Sequence, residues 1–451
     1  MSDGIEAMVI CSTLNQITNY LMIKKYKPKK IYNITYKNDD DNKFDNEKWD
    51  EYLKEQLKKD KDFENFENKD WNKVLKYKLE EDKKYFIDIK LSLKETLQIE
   101  KIKKRFETLK DKEEEIYWHI TGGQRLIAMV IKNIIKDRKK DKILYVEGNT
   151  EKLISYDYEF NPTEESYNDN SLNFNQALSL VGFNLSEKNI KKEESKNKDI
   201  REFIEKEIIS NKEEYKFYLN LYDFFIDKDM GKDFKINKEI LNDIKTEKDN
   251  INFNEDYCTS FKNALIFSNR IKDKVKRKEF IKEIFEKIKE INKELDFECC
   301  DSRFGYIFEK IILYKIISLI QEEDNKISDI IASMKALSND NTVKGIVDEI
   351  DIALLKNTGK IINLECKSGK MDGDNAKSNK YTTYRLSGVF GMPYLVTPLL
   401  EGEENVNEKE NPEKEKFILK KSIEAFNSAK RAELKVINFN KLTKEIIKII
   451  K

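Results

Sequence analysis

Residues 348–370 read DEIDIALLKNTGKIINLECKSGK. Two runs rich in Ile, Leu and Val, 346–355 and 361–365, flank Asn357-Thr358-Gly359. Apolar runs about a short glycine-containing segment form the strands of a β-hairpin. A turn centred on Thr358 sets Asp351 opposite Glu365 and puts Lys367 on the same face as Glu365. A bulge, which three-residue hairpins often carry, would slip that register by one and turn the acids to opposite faces.

Directly opposed side chains have Cβ atoms roughly 5 Å apart, near enough for two carboxylates to share one divalent cation. Without a cation they repel, and one of them must raise its pKa. Mg²⁺ or Mn²⁺ suits such a site, since both take oxygen ligands and keep several waters. A lysine beside the metal orients a water and neutralises charge building on a phosphate. These are the parts for hydrolysing a phosphodiester.

Acid, acid and lysine at this spacing, Asp351…Glu365-Cys366-Lys367, resemble the D…ExK core of PD-(D/E)xK nucleases. The context agrees: a helix is expected over 303–320, then the hairpin, a helix over 375–386, a strand over 393–399, and a further helix and strand. That αββαβ order is similar to the family's fold. The resemblance implies that Asp351, Glu365 and the backbone carbonyl of Cys366 hold the metal, that Lys367 positions the water, and that Glu309, from the opening helix, adds an acid. Glu309 falls inside the apolar run FGYIFEKIILYKIISLI, where a buried carboxylate needs a partner.

The N-terminal part alternates strand and helix patterns: strands over 7–11, 30–36, 85–93, 116–120 and 143–146, helices over 14–26 and 125–135. A parallel doubly wound α/β domain follows from that alternation. Residues 39–84 form a charged, helical excursion with a solvated face. Two strand-to-helix turns stand out: Cys11-Ser12-Thr13-Leu14-Asn15-Gln16, and Thr121-Gly122-Gly123-Gln124-Arg125 after the strand IYWHI. Such turns lie at the carboxyl ends of parallel strands, where helix N-termini and free N–H groups bind anions and glycines allow close approach. Neither GxGxxG nor GxxxxGK[ST] occurs, so no dinucleotide or NTPase site is supported.

Ahead of a nuclease core, TGGQR is similar to the TGG-plus-basic motif of CARF domains, the Rossmann-like sensors of type III CRISPR systems. The resemblance covers most of the chain: a CARF-like domain over 1–160, a helical connector over 161–295, and a restriction-endonuclease-like PD-(D/E)xK domain over 296–451. It implies a homodimer that binds cyclic oligoadenylate, most often cyclic tetra-adenylate, and is thereby switched on to cut nucleic acid, whether single-stranded DNA, RNA or supercoiled DNA. By that likeness Ser12, Thr13, Asn15 and Gln16, with Thr121, Gly122, Gly123, Gln124 and Arg125, contact the ligand. The chain departs from the family in having Gln124-Arg125 where a small hydroxyl residue and then lysine are usual. Two rivals remain: a ligand-independent restriction or repair endonuclease, and a nucleotide-sensing adaptor whose acids are surface charges.

Composition narrows the chemistry. The 451 residues are 38% charged with zero net charge, so nucleic-acid binding rests on local patches rather than bulk field. One such patch is Asn269 to Lys278, with six basic residues and one acidic. Five cysteines show no CxxC pair, against structural zinc. The single histidine, His119, excludes a multi-histidine metal site and a HEPN-type ribonuclease motif, which needs a histidine in the C-terminal half. Neither a cationic leader nor an apolar run of membrane length occurs, and a cytoplasmic location is expected. Residues 401–416 read as an exposed loop.

Overall fold

The computed structural model describes residues 4–36, 46–60, 86–91, 98–110, 113–123, 125–194, 199–212, 214–216, 218, 219, 222, 303–339, 346–388, 391–402, 404 and 420–451. Gln124, the basic stretch 269–278, most of the 161–295 connector and of the 401–416 loop, and Cys258, Cys299 and Cys300 lie outside them.

The first sheet joins β1 (Ala7–Cys11), β2 (Lys30–Tyr36), β3 (Phe86–Leu91), β4 (Ile116–His119), β5 (Lys142–Glu147), β6 (Lys152–Tyr156) and β7 (Pro162–Glu165) in the order β3-β2-β1-β4-β5-β6-β7. The strands from β3 to β5 are parallel, as the alternating pattern predicts; β6 and β7 are antiparallel additions at one edge. The expected all-parallel sheet is corrected to that extent. β7 reads PTEE and is mostly exposed, with proline at its first position, so neither hydropathy nor propensity announces a strand there. Helices α1 (Ile17–Tyr26), α2 (Asn46–Lys59), α3 (Ile99–Lys110) and α4 (Arg125–Ile135) flank this sheet. In β1 the side chains sort by parity: Ala7, Val9 and Cys11 join the core that includes α3 and α4, while Met8 and Ile10 join the core that includes α1.

The chain continues through α5 (Phe174–Ser179), β8 (Phe183–Leu185), α6 (Glu187–Glu194) and α7 (Ile200–Ser210). Both β7 and β8 fall within 161–295, and β8 pairs with the second sheet. That sheet follows α8 (Arg303–Glu322) and is built from β9 (Ile327–Ser338), β10 (Ile346–Lys356) and β11 (Ile361–Cys366), then α9 (Gly373–Ser387), β12 (Met392–Thr397), α10 (Lys420–Arg431), β13 (Lys435–Asn438) and α11 (Leu442–Ile450). Its order is β13-β12-β11-β10-β9-β8. The sequence reading lacks β9, so the run after α8 has three strands before α9 instead of two.

The hairpin register is the one a Thr358-centred turn dictates: Ile352 pairs with Leu364 and Leu355 with Ile361. The apolar residues of sheet two divide between a core against α8 and α11 and a core shared with the first sheet, in which Ile331, Met334, Ala353 and Leu355 lie in one cluster with Ile10, Ile17, Leu21 and Phe174. The two sheets are thereby joined by continuous apolar contact. At the hairpin turn Gly359 has φ 81, open to glycine, and a Cβ there would overlap the Ile17 side chain.

Candidate functional site

Asp351 sits on β10 where the ladder is distorted. Ile350 pairs with Met334 and Ile352 with Ala332, and Ser333 between them on β9 has φ 50, in the left-handed region. The Asp351 Oδ2 accepts the backbone N–H of Cys366 at 2.8 Å, which fixes it against the end of β11. Next to that bond, Glu365 receives the Lys367 ammonium at Oε1 (2.7 Å) and the Asn379 amide at Oε2 (3.0 Å).

Alternation makes this possible. Asn363 and Glu365 share one face of β11, and Thr383 and Asn379, four residues apart on α9, meet them in turn. The intervening residues Ile362, Leu364 and Cys366 enter the core on the other face. Cys366 is therefore present at the site through its backbone; its thiol is buried, and burial pushes its pKa well up.

The electrostatics are those of a crowded acid cluster. Burial, then the Glu365 carboxylate, raises Asp351 to about 7. Burial, then Asp351, raises Glu309 on α8 to about 8. Burial disfavours the Lys367 ammonium, but Glu365 and Asp351 outweigh it and hold the lysine above its ordinary value. Fully ionised, the three carboxylates Glu309, Asp351 and Glu365 would face one ammonium with a formal excess of two negative charges, which without a cation is relieved by the raised proton affinity of Asp351 and Glu309. Hard oxygen donors with an excess charge of minus two fit one divalent cation of the Mg²⁺ or Mn²⁺ type. Among the described residues no three Asp, Glu, His or Cys side chains form a cage on their own. Asp351, Glu365 and the Cys366 carbonyl supply part of a shell, with water left to complete it.

All four residues read from the sequence, Glu309, Asp351, Glu365 and Lys367, come together. Asn379 escaped that reading. Its only signal is a polar residue one helical turn before Thr383 on the buried side of α9, and that appears only once α9 is laid on β11.

The two N-terminal loops also meet. A Cβ on Gly122, whose φ is 84, would press on Thr13, and one on Gly123 would strike the Cys11 sulfur. Thr13, Gly122, Gly123 and Arg125 are at least partly open to solvent, and Leu14 is exposed. Four side chains of the set have partners inside the fold: Ser12 donates to Asp50 (2.7 Å), Gln16 accepts from Asn19 (2.7 Å), the Thr121 hydroxyl accepts from the Val146 N–H (2.7 Å), and Asn15 donates to the carbonyl of Ser387, the last residue of α9 (2.9 Å). His119 is fully buried with Nδ1 on the Asn19 side-chain Oδ1 (2.8 Å); burial pushes it down to about 3 and keeps it neutral.

A buried ion cluster ties the parts together at the hairpin turn. Glu151, in the β5–β6 turn, takes Lys356 at 2.8 Å and Lys360 at 2.9 Å, all three less than a tenth exposed. Burial would raise Glu151, but the two lysines hold it below its ordinary value. No helix among the described residues is long and apolar enough to cross a membrane.

No family model and no curated protein matches the chain. Among solved structures it is similar to Can2 from Sulfobacillus thermosulfidooxidans in complex with cyclic tetra-adenylate, with TM-score 0.52 and 13% identity over 99% of this chain and 97% of that one. It is similar also to protein VC1899 from Vibrio cholerae, with TM-score 0.51 and 14% identity over 99% and 98% of the two chains. At such identity the likeness speaks for fold, and it runs the length of the molecule. In fold, the chain is a Rossmann-like, mostly parallel α/β domain joined to a second α/β domain built on a mixed sheet, and over its whole length it is similar to these two structures.

Proposed function

We propose that this chain is a metal-dependent endonuclease switched on by cyclic oligoadenylate, foremost cyclic tetra-adenylate, in type III CRISPR defence. The observation that carries the catalytic part is the meeting of three carboxyl groups, Glu309, Asp351 and Glu365, with the Lys367 ammonium, a crowding that raises two of the acids. The sensing part is supported by the two loops in mutual contact at the carboxyl ends of β1 and β4, and by the fold shared with a protein solved with cyclic tetra-adenylate.

A divalent cation held by Asp351 and Glu365 would acidify water and neutralise charge on the scissile phosphate. The chain's residues do the rest. Asn379 and Lys367 fix the two oxygens of Glu365, and the Cys366 N–H fixes Asp351. Lys367, about a third exposed, is the group able to turn from Glu365 towards a phosphate oxygen and orient the attacking water. Glu309, held protonated near neutral pH, takes up or gives a proton at the rim of the cluster. The chain acts as a homodimer, and ligand shifts it towards the cutting arrangement by binding that arrangement better.

The test is cleavage of labelled single-stranded DNA, RNA and supercoiled plasmid with Mn²⁺ or Mg²⁺, with and without cyclic tetra-adenylate, beside a Glu365→Ala protein. Cutting that needs both ligand and Glu365 is the expected result. Cutting without ligand would place the chain with restriction or repair enzymes, and ligand binding with no cutting under any metal would make it an adaptor.

A further inference from the structure

At the end of the second sheet where β11, β12 and β13 begin lies a cavity of about 570 Å³, closed on one side by the β5–β6 turn. It is not the carboxylate site. β11 runs the six residues Ile361–Cys366 between the two, roughly 17–20 Å at the rise of a strand.

Seven lysines line this cavity against two carboxylates, Glu151 and Glu445, an excess of five positive charges. Lys356 and Lys360 share Glu151, Lys448 pairs with Glu445 (2.7 Å), and Lys451 reaches Glu323 (3.0 Å). Lys326, Lys430 and Lys435 have no ion-pair carboxylate among the described residues. Burial, with the neighbouring charges of Lys360 and Lys326, draws Lys356 below its ordinary value despite Glu151. Lysines gathered this closely repel one another and favour any anion that enters. Asn149 and Thr150 line the side of the β5–β6 turn, and an apolar wall is formed by Met392, Val436, Ile437, Ile449 and the Tyr394 ring, over which Lys435 stands at 5.7 Å.

We propose that the cavity binds a nucleoside triphosphate. Its phosphates meet Lys326, Lys430 and Lys435, since ammonium groups serve as point-charge phosphate binders, and its flat base lies on the apolar wall. The volume falls within the range of small-molecule sites and far exceeds one phosphate. The β5–β6 turn across one side suits a compact ligand over a strand that must pass through.

The experiment uses the full chain in EDTA and a non-hydrolysable ATP analogue, followed by calorimetry. One equivalent is expected to bind. Affinity should fall about a hundredfold in Lys430→Ala/Lys435→Ala and about tenfold in Lys326→Ala, with the melting temperature of each variant checked against wild type. Glu365→Ala and saturating cyclic tetra-adenylate should leave binding unchanged, so loss of nuclease activity and loss of this site are separately visible. Absence of binding, equal binding by all variants, displacement by cyclic tetra-adenylate, or tighter capture of a single-stranded oligonucleotide at the same lysines would each overturn the assignment.

Discussion

Raising the pH should weaken the metal-free fold, and a divalent cation should reverse the loss. Asp351 is raised from 3.8 to about 7, and Glu309 from 4.5 to about 8, burial being the first cause for both. Below the ordinary carboxylate values folded and unfolded chains alike hold both protons, and the groups do not affect stability. As pH climbs towards the folded values, the unfolded chain releases protons that the folded chain retains, so each group removes up to about 1.4 kcal/mol of stability per pH unit. Between pH 5 and 7 the two together amount to on the order of 3–5 kcal/mol, or roughly 5–15 °C in melting temperature for a unit of this size. His119 works the other way: lowered from 6.5 to about 3, it costs stability as pH falls and is harmless above its unfolded value. The readout is therefore the difference in melting temperature between wild type and Glu309→Gln/Asp351→Asn, measured from pH 5 to 8 in EDTA and in Mn²⁺. In EDTA the wild type should lose ground to the variant as pH rises, and Mn²⁺ should rescue wild type more at pH 8 than at pH 5. A difference that stays flat with pH, or a Mn²⁺ gain equal at both ends, would refute the charge-crowding account of the site.

Three further outcomes follow from the geometry. Asn379→Ala frees one oxygen of Glu365 and should weaken Mn²⁺ binding about 10–100-fold with the fold intact; a Mn²⁺ titration indistinguishable from wild type would remove Asn379 from the site. Glu151→Gln leaves Lys356 and Lys360 buried without a carboxylate and should cost about 3–5 kcal/mol in urea unfolding; a loss under about 1 kcal/mol would mean that water reaches both lysines. Arg125→Ala should weaken cyclic tetra-adenylate binding at least about tenfold by calorimetry, and unchanged affinity would assign the TGG turn to packing alone.

The sequence makes the centre of the second domain legible because its signals are local. The Asn357-Thr358-Gly359 turn sets the register from Ile352–Leu364 to Leu355–Ile361, and that register brings Asp351 to the end of β11, where it takes the Cys366 N–H beside Glu365. β9 escapes because ISDIIASMKALS is broken by Ser328, Asp329, Ser333 and Lys335, and a buried acid in a strand reads as a turn. Buried Asp329 accepts the Phe174 N–H from α5, a partner far away in sequence, as well as the neighbouring Ile330 N–H. Asn379 is hidden for the same reason, since its meaning depends on how α9 lies over β11. In the first domain the loops are recognisable from glycines and strand ends, yet the inward turn of Ser12, Gln16 and Thr121 depends on partners such as Asp50 and Val146 that sequence order does not bring near.

Surface turns ordinarily tolerate changes in length. The turn between β10 and β11 is an exception, because one hairpin carries the acids at its open end and the lysines that grip Glu151 at its closed end. A single inserted residue beside Thr358 would reverse which face every later side chain of β11 presents, drive chain into Ile17, and lift Lys360 from its carboxylate at once. Insertion scanning across the hairpin should find this turn intolerant.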